Sequence, residues 1–154
     1  MSTKDSAEVR SIATGSAPSI DTDRFARALS PALSADRISA GLYRVASGEE
    51  TYTVGLDSGA CDCPDHQFRG SEYACKHALL AALSEVISEG APRSEFVARV
   101  AGFAREHGCP SGNDRLCDGP LGPRLPCPAC CDGLRSSEID EWTVWQAVVT
   151  EDRA

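Results

Sequence analysis

Residues 59–83 read GACDCPDHQFRGSEYACKHALLAAL. Three cysteines and two histidines stand there in two tight groups: Cys61-x-Cys63, eleven residues, then Cys75-x-His77. Three thiolates and one imidazole make a complete tetrahedral set of the kind structural zinc takes. Backbone geometry restricts how they meet. Each helical residue turns about 100°, so i and i+2 lie about 200° apart. Cys75 and His77 therefore face one ion only if Cys75 precedes the helix and His77 lies in its first turn. On a strand, i and i+2 point to the same side, so Cys61 and Cys63 reach the ion together from a strand that loosens near its end.

The flanks agree with this joint. Upstream, GLYRVASGEETYTVGLDSGACDC (41–63) places Leu42, Tyr43 and Val45, then Tyr52, Val54 and Leu56, in β-rich runs around ASGEE. It reads as a hairpin. DSG at 57–59 is a second turn, leading into a short strand that carries Cys61 and Cys63. Downstream, 71–90 is a helix with a wide apolar face (Ala78, Leu79, Leu80, Ala82, Leu83, Val86, Ile87) and Gly90 placed to end it. A second helix runs from Ser94 to His107, with Phe96, Val97, Val100 and Phe103 inward.

Cys-x-Cys-x11-Cys-x-His, after a hairpin and at the start of a helix, resembles the SWIM zinc finger; Pro64 directly after the second cysteine fits as well. The resemblance covers about residues 41–90. It implies a ββα fold around one zinc ion, ligands Cys61, Cys63, Cys75 and His77, and a role in binding DNA or proteins without catalysis by the finger. His66, three residues after Cys63, competes for the fourth place and reads better as a loop histidine. A nucleophilic Cys–His pair is the other rival. It needs an open site with a nearby base, which suits three converging thiols less well than a closed metal site.

The remaining chain is less regular. Residues 1–20 are polar and without periodicity, which reads as disorder. Phe25, Leu29, Leu33 and Ile38 give 20–39 a roughly helical spacing, with Pro31 dividing it into two short helices or kinking it. Residues 109–133 lose all period and hold five of the eight cysteines; a loop that long needs something to hold it. CPAC at 127–130 is a zinc-knuckle half-site, and Cys109 and Cys117 supply the other half. Cys131 is then left over, and His107 is an alternate fourth ligand. A thioredoxin-like redox pair is disfavoured because no apolar helix is expected after CPAC. An iron–sulfur cluster is a third reading. EWTVWQAVV (141–149) reads as a strand, with a short helix as the alternative.

Charge bounds the partners. The net charge is −8. Thirteen arginines accompany only two lysines, Lys4 and Lys76. An acidic, Ala-rich, Lys-poor chain is what a salty cytosol selects, since an acidic surface keeps a protein soluble. Nucleic-acid binders usually show a basic patch, and no segment here is strongly basic. The best candidate surface joins Arg69, Lys76, Arg93, Arg99 and Arg105, if helix 94–107 lies beside the finger. No apolar run approaches a membrane span, and the N-terminus lacks the apolar core of a secretory signal. A cytoplasmic, soluble chain is expected, in which reduced cysteines bind metal.

The sequence thus predicts an α+β protein. Residues 1–20 form a disordered N-terminus, 21–108 a zinc-finger domain with flanking helices, 109–134 a Cys-rich second zinc-binding segment, and 135–154 a C-terminal strand or short helix with an acidic tail. One zinc ion is expected at Cys61, Cys63, Cys75 and His77, and a second at Cys109, Cys117, Cys127 and Cys130. The predicted function is non-enzymatic: zinc holds a surface that meets DNA or a protein partner, with no membrane and no small-molecule substrate. The alternatives are a pure protein adaptor and a thiol redox or metal-responsive protein using the CxxC segment.

Overall fold

The computed structural model describes residues 18–69, 72–89, 94–110, 117–122, 124 and 126–134. Of the stretch 1–20 expected to be disordered, 1–17 lie outside these residues, as do the strand or helix at 141–149, the acidic tail, Gly90 and Arg93. Residues 18–20 correct the expectation: the Ser19 N–H donates to the Glu72 carbonyl, the Ser19 carbonyl accepts from the Ala74 N–H, and Ile20 packs against the core. The fold is α+β. In chain order the elements are α1 (Thr22–Ala28), β1 (Leu33–Ser39), β2 (Leu42–Ser47), β3 (Glu50–Gly55), β4 (Ala60–Cys61), α2 (Pro64–Arg69), α3 (Lys76–Glu89), α4 (Glu95–His107) and α5 (Pro128–Leu134).

The four strands form one antiparallel sheet in the order β1-β2-β3-β4. The expected hairpin is β2–β3, with Ser47 opposite Glu50 and Gly48 at φ 67° in the two-residue loop between them. A positive φ is what such a tight loop demands, and glycine adopts it without a Cβ clash.

β1 corrects the sequence reading, which made 20–39 two short helices divided at Pro31 or one helix kinked there. Only Thr22–Ala28 is helix, with the Asp21 carboxylate accepting from the Arg24 N–H as N-cap. Leu29 ends it, and the chain turns through Pro31, with the Leu33 N–H donating to the Ser30 carbonyl. Proline favours the second position of such a turn. From Leu33 the period is two. Leu33 and Ala35 are buried, whereas Ile38, counted as part of a helix face, is exposed. Leu29 and Leu33 mimic an i, i+4 pair but belong to two elements. Pairing with β2 supplies the backbone hydrogen bonds that decide for strand.

The buried face of the sheet (Leu33, Ala35, Tyr43, Val45, Val54, Cys61) packs on α3. Every residue of α3 from His77 to Ile87 is buried. A helix apolar on all sides is a central one, and α3 also contacts α1, α4 and α5. α4 starts at Ser94, whose Oγ accepts from the Val97 N–H, and ends at Gly108, φ 68°. One hydrophobic cluster runs from Phe25 in α1 to Leu134 in α5 and contains seven of the cysteines.

Two short helices were not expected. α2 fills the spacer between the two ligand pairs. α5 starts inside CPAC, with Pro128 in its first position, where proline is well tolerated. The irregular reading of 109–133 is corrected to that extent.

Candidate metal centres

The first centre forms where β4 and α3 meet. Cys61 is the last residue of β4, Cys63 lies just before α2, Cys75 just before α3, and His77 in the first turn of α3. The strand stops at Cys61, so Cys63 reaches the site from a helix start and not from the strand expected for it. The sulfurs also serve the helix starts. Cys63 Sγ accepts from the His66 N–H at 3.3 Å, and Cys75 Sγ from the Ala78 N–H at 3.4 Å. Helix N-terminal N–H groups and the helix dipole both favour a thiolate there.

The four ligand atoms lie within 4.8 Å of one another, and all four residues are buried. His77 Nδ1 is 3.8 Å from Cys61 Sγ and 3.9 Å from Cys75 Sγ. Bond lengths of about 2.3 Å to sulfur and 2.0 Å to nitrogen imply ligand–ligand edges of about 3.5–3.8 Å around one zinc ion. The Tyr52 ring packs on His77 with centroids 4.7 Å apart and fixes the imidazole from the β3 side.

Electrostatics point the same way. The Cys75 thiol is lowered to about 4, first by the Cys61 thiol donating to it and next by His77. Cys61 is pushed up by that same hydrogen bond and then by burial, and Cys63 is pushed up chiefly by burial. Burial disfavours the charged forms of Cys61 and Cys63, and a bound divalent cation would supply the charge that favours them. The donor set fits structural zinc.

The second centre joins Cys109, beyond α4; Cys117; Cys127, just before α5; and Cys130, in its first turn. Their sulfurs also lie within 4.8 Å of one another, and all four residues are buried. Cys109–Cys127, Cys117–Cys130 and Cys109–Cys130 are 3.5, 3.7 and 3.6 Å apart. Cys117 Sγ accepts from the N–H groups of Gly119 (3.3 Å) and Cys127 (3.2 Å). Burial pushes Cys117 and Cys130 upward, so binding a cation here means displacing their protons. Each of the two clusters could hold a zinc ion.

The competing ligands stand apart. His66 gives only its backbone N–H to Cys63. His107 stacks on Phe103, centroids 3.8 Å apart, and its Nδ1 meets the Phe103 carbonyl. Cys131 turns its thiol to the Pro126 carbonyl at 3.6 Å.

The proposed basic surface is less coherent. Arg69 sits on Asp65 at 3.1 Å, and Lys76 opens α3. Arg99 and Arg105 are both exposed on α4, but six residues at about 100° each put them about 120° apart around it. A different trio, Arg24, Arg27 and Arg69, lines a cleft of about 410 Å³ together with Asp21, Thr22 and Asp23. Sequence reasoning also missed Glu85. It is a carboxylate inside the apolar run of α3, 1% exposed and bound by the Tyr43 hydroxyl.

Residues 52–85 match the model of the SWIM zinc finger family. The match runs from Tyr52 on β3 to Glu85 on α3 and includes all four ligands of the first centre. The chain therefore carries a SWIM-type, zinc-binding structural module. It matches no curated protein and no solved structure. Among the described residues, no helix is long and apolar enough to cross a membrane.

Proposed function

We propose that this chain is a non-enzymatic, cytoplasmic interaction module whose zinc ions hold a docking surface in place, and that the surface meets a protein partner. The observation that carries the non-enzymatic reading is closure. Four protein ligands surround the first centre and all are buried, whereas a catalytic zinc keeps an open position for water or substrate. Eight free thiols are in keeping with a reducing compartment.

The charge pattern supports protein over nucleic acid. Arg24, Arg37, Arg69 and Arg124 each sit on a carboxylate, and the net charge is −8. Phe68 on α2 is 91% exposed, and aromatic anchors of this kind are enriched in protein interfaces. DNA is the second reading, favoured by the arginine-lined cleft beside α2.

A pull-down from native cytosol, with and without nuclease, tests both. Nuclease-resistant capture that Phe68→Ala weakens, with zinc content unchanged, supports the protein reading. Capture abolished by nuclease, or direct DNA affinity that persists at the cell's own ionic strength, supports DNA instead.

A further inference from the structure

We propose that the second centre is a mononuclear tetrathiolate zinc site that works as a clasp, fastening the C-terminal segment onto the finger domain. The matched family segment ends at residue 85, so nothing in the first centre accounts for these four cysteines. Sulfur separations of 3.5–3.7 Å approach the edge of about 3.8 Å expected around one ion with 2.3 Å bonds. An iron–sulfur cluster needs its irons and sulfides inside the ligand cage, which spreads the cysteines farther apart. The spacing selects a single ion.

What the ion fastens follows from three close approaches. A Cβ added at Gly133 in α5 would fall 2.2 Å from Leu29 Cα, at the end of α1. A Cβ at Gly119 (φ 102°) would fall 2.6 Å from the Gly108 carbonyl oxygen, and one at Gly122 would fall 2.7 Å from the Asp118 carbonyl oxygen. At these three glycines the chain comes within contact distance of another backbone stretch. α5 also contacts β1 and α3, and Leu134 lies fully in the common core. Among the described residues β1 is an edge strand, paired with β2 on one side. Among the described residues of 109–134 the one helix or strand is α5, so the ion is what holds this packing against the entropy of chain closure. When it is lost, α5 releases the α1–β1 corner, and the sheet edge loosens.

Metal analysis and hydrogen exchange on the full chain test the proposal. The wild type is expected to carry two zinc ions. Cys127→Ser should carry one, with β1 amides exchanging on the order of tenfold faster while the centre of α3 stays protected. Gly133→Ala separates the roles: it should keep two zinc ions yet speed exchange in α5 and β1. If Cys127→Ser proves insoluble, stepwise chelation of the wild type gives the same readout, with loss of one ion accompanied by faster β1 exchange. One zinc in the wild type, or two in Cys127→Ser, overturns the site. Loss of one ion with β1 exchange unchanged overturns the clasp, as does Gly133→Ala with unaltered exchange. Iron with a thiolate-to-iron absorption band in place of zinc overturns the ion assigned.

Discussion

The Tyr43 hydroxyl donates a 2.9 Å hydrogen bond to Glu85 Oε1, and both residues are buried. The bond ties the second strand of the sheet to the helix that carries His77. Leaving a buried acceptor without its hydrogen-bond partner costs about 1–3 kcal/mol. Tyr43→Phe keeps the ring and removes the donor, so it should lower stability by about that amount in denaturant titration. Metal content should stay unchanged. A loss below about 0.5 kcal/mol would mean that Arg37, 3.9 Å from the same oxygen, already satisfies the carboxylate.

Cys61→Ser should cost the first zinc ion and melt the finger, because an incomplete ligand set leaves buried thiols without their cation. His66→Ala should leave the metal content as it is. Elemental analysis beside circular dichroism checks both. Zinc loss in His66→Ala would redraw the ligand set.

Zinc affinity of the first centre should depend steeply on pH. In the metal-free protein Cys61 and Cys63 lie above the ordinary thiol range, whereas Cys75 lies near 4. Near neutral pH the first two therefore hold protons and the third does not. Metal displaces both protons, and each makes affinity fall about tenfold per pH unit of acidification. The expected slope is about a hundredfold per unit, with binding weakening as pH falls. Competition titrations with a chromophoric chelator measure it. A flat profile would mean that the thiols are already ionised before metal arrives.

Ser94 has two duties. Its Oγ accepts from the Val97 N–H at 3.1 Å and donates to the Leu56 carbonyl at 2.9 Å. Ser94→Ala should cost about 1 kcal/mol, the usual price of a lost N-cap. Ser94→Asp restores the cap acceptor but cannot donate to Leu56, so it should recover only part of that loss. Full recovery in thermal melts would assign the whole effect to the cap.

The first centre was legible in the sequence because ligand chemistry and backbone period restrict each other. Cys75 had to precede a helix that His77 enters, and it does. The β2–β3 hairpin and the Ser94-capped helix were equally plain, since local signals alone specify them. β1 was hidden because Leu29 and Leu33 happen to keep helical spacing across a turn. α5 was hidden because a knuckle rich in proline and glycine carries little propensity of its own. Its helix is held by cysteine positions and by Gly133 against Leu29. Glu85 was invisible for another reason: its partner Tyr43 is 42 residues away, and no local pattern announces such a pair.

The eleven residues between Cys63 and Cys75, with α2 among them, have both ends anchored by one ion. Their length is thereby uncoupled from the frame. Doubling a flexible loop adds only about 0.6 kcal/mol of closure entropy, which a bound metal readily offsets. This spacer can therefore accept insertion or replacement while sheet, helix and ligands stay as they are, provided that Asp65 keeps Arg24 and the 72–74 stretch keeps its hydrogen bonds to Ser19: a socket in which recognition can be exchanged.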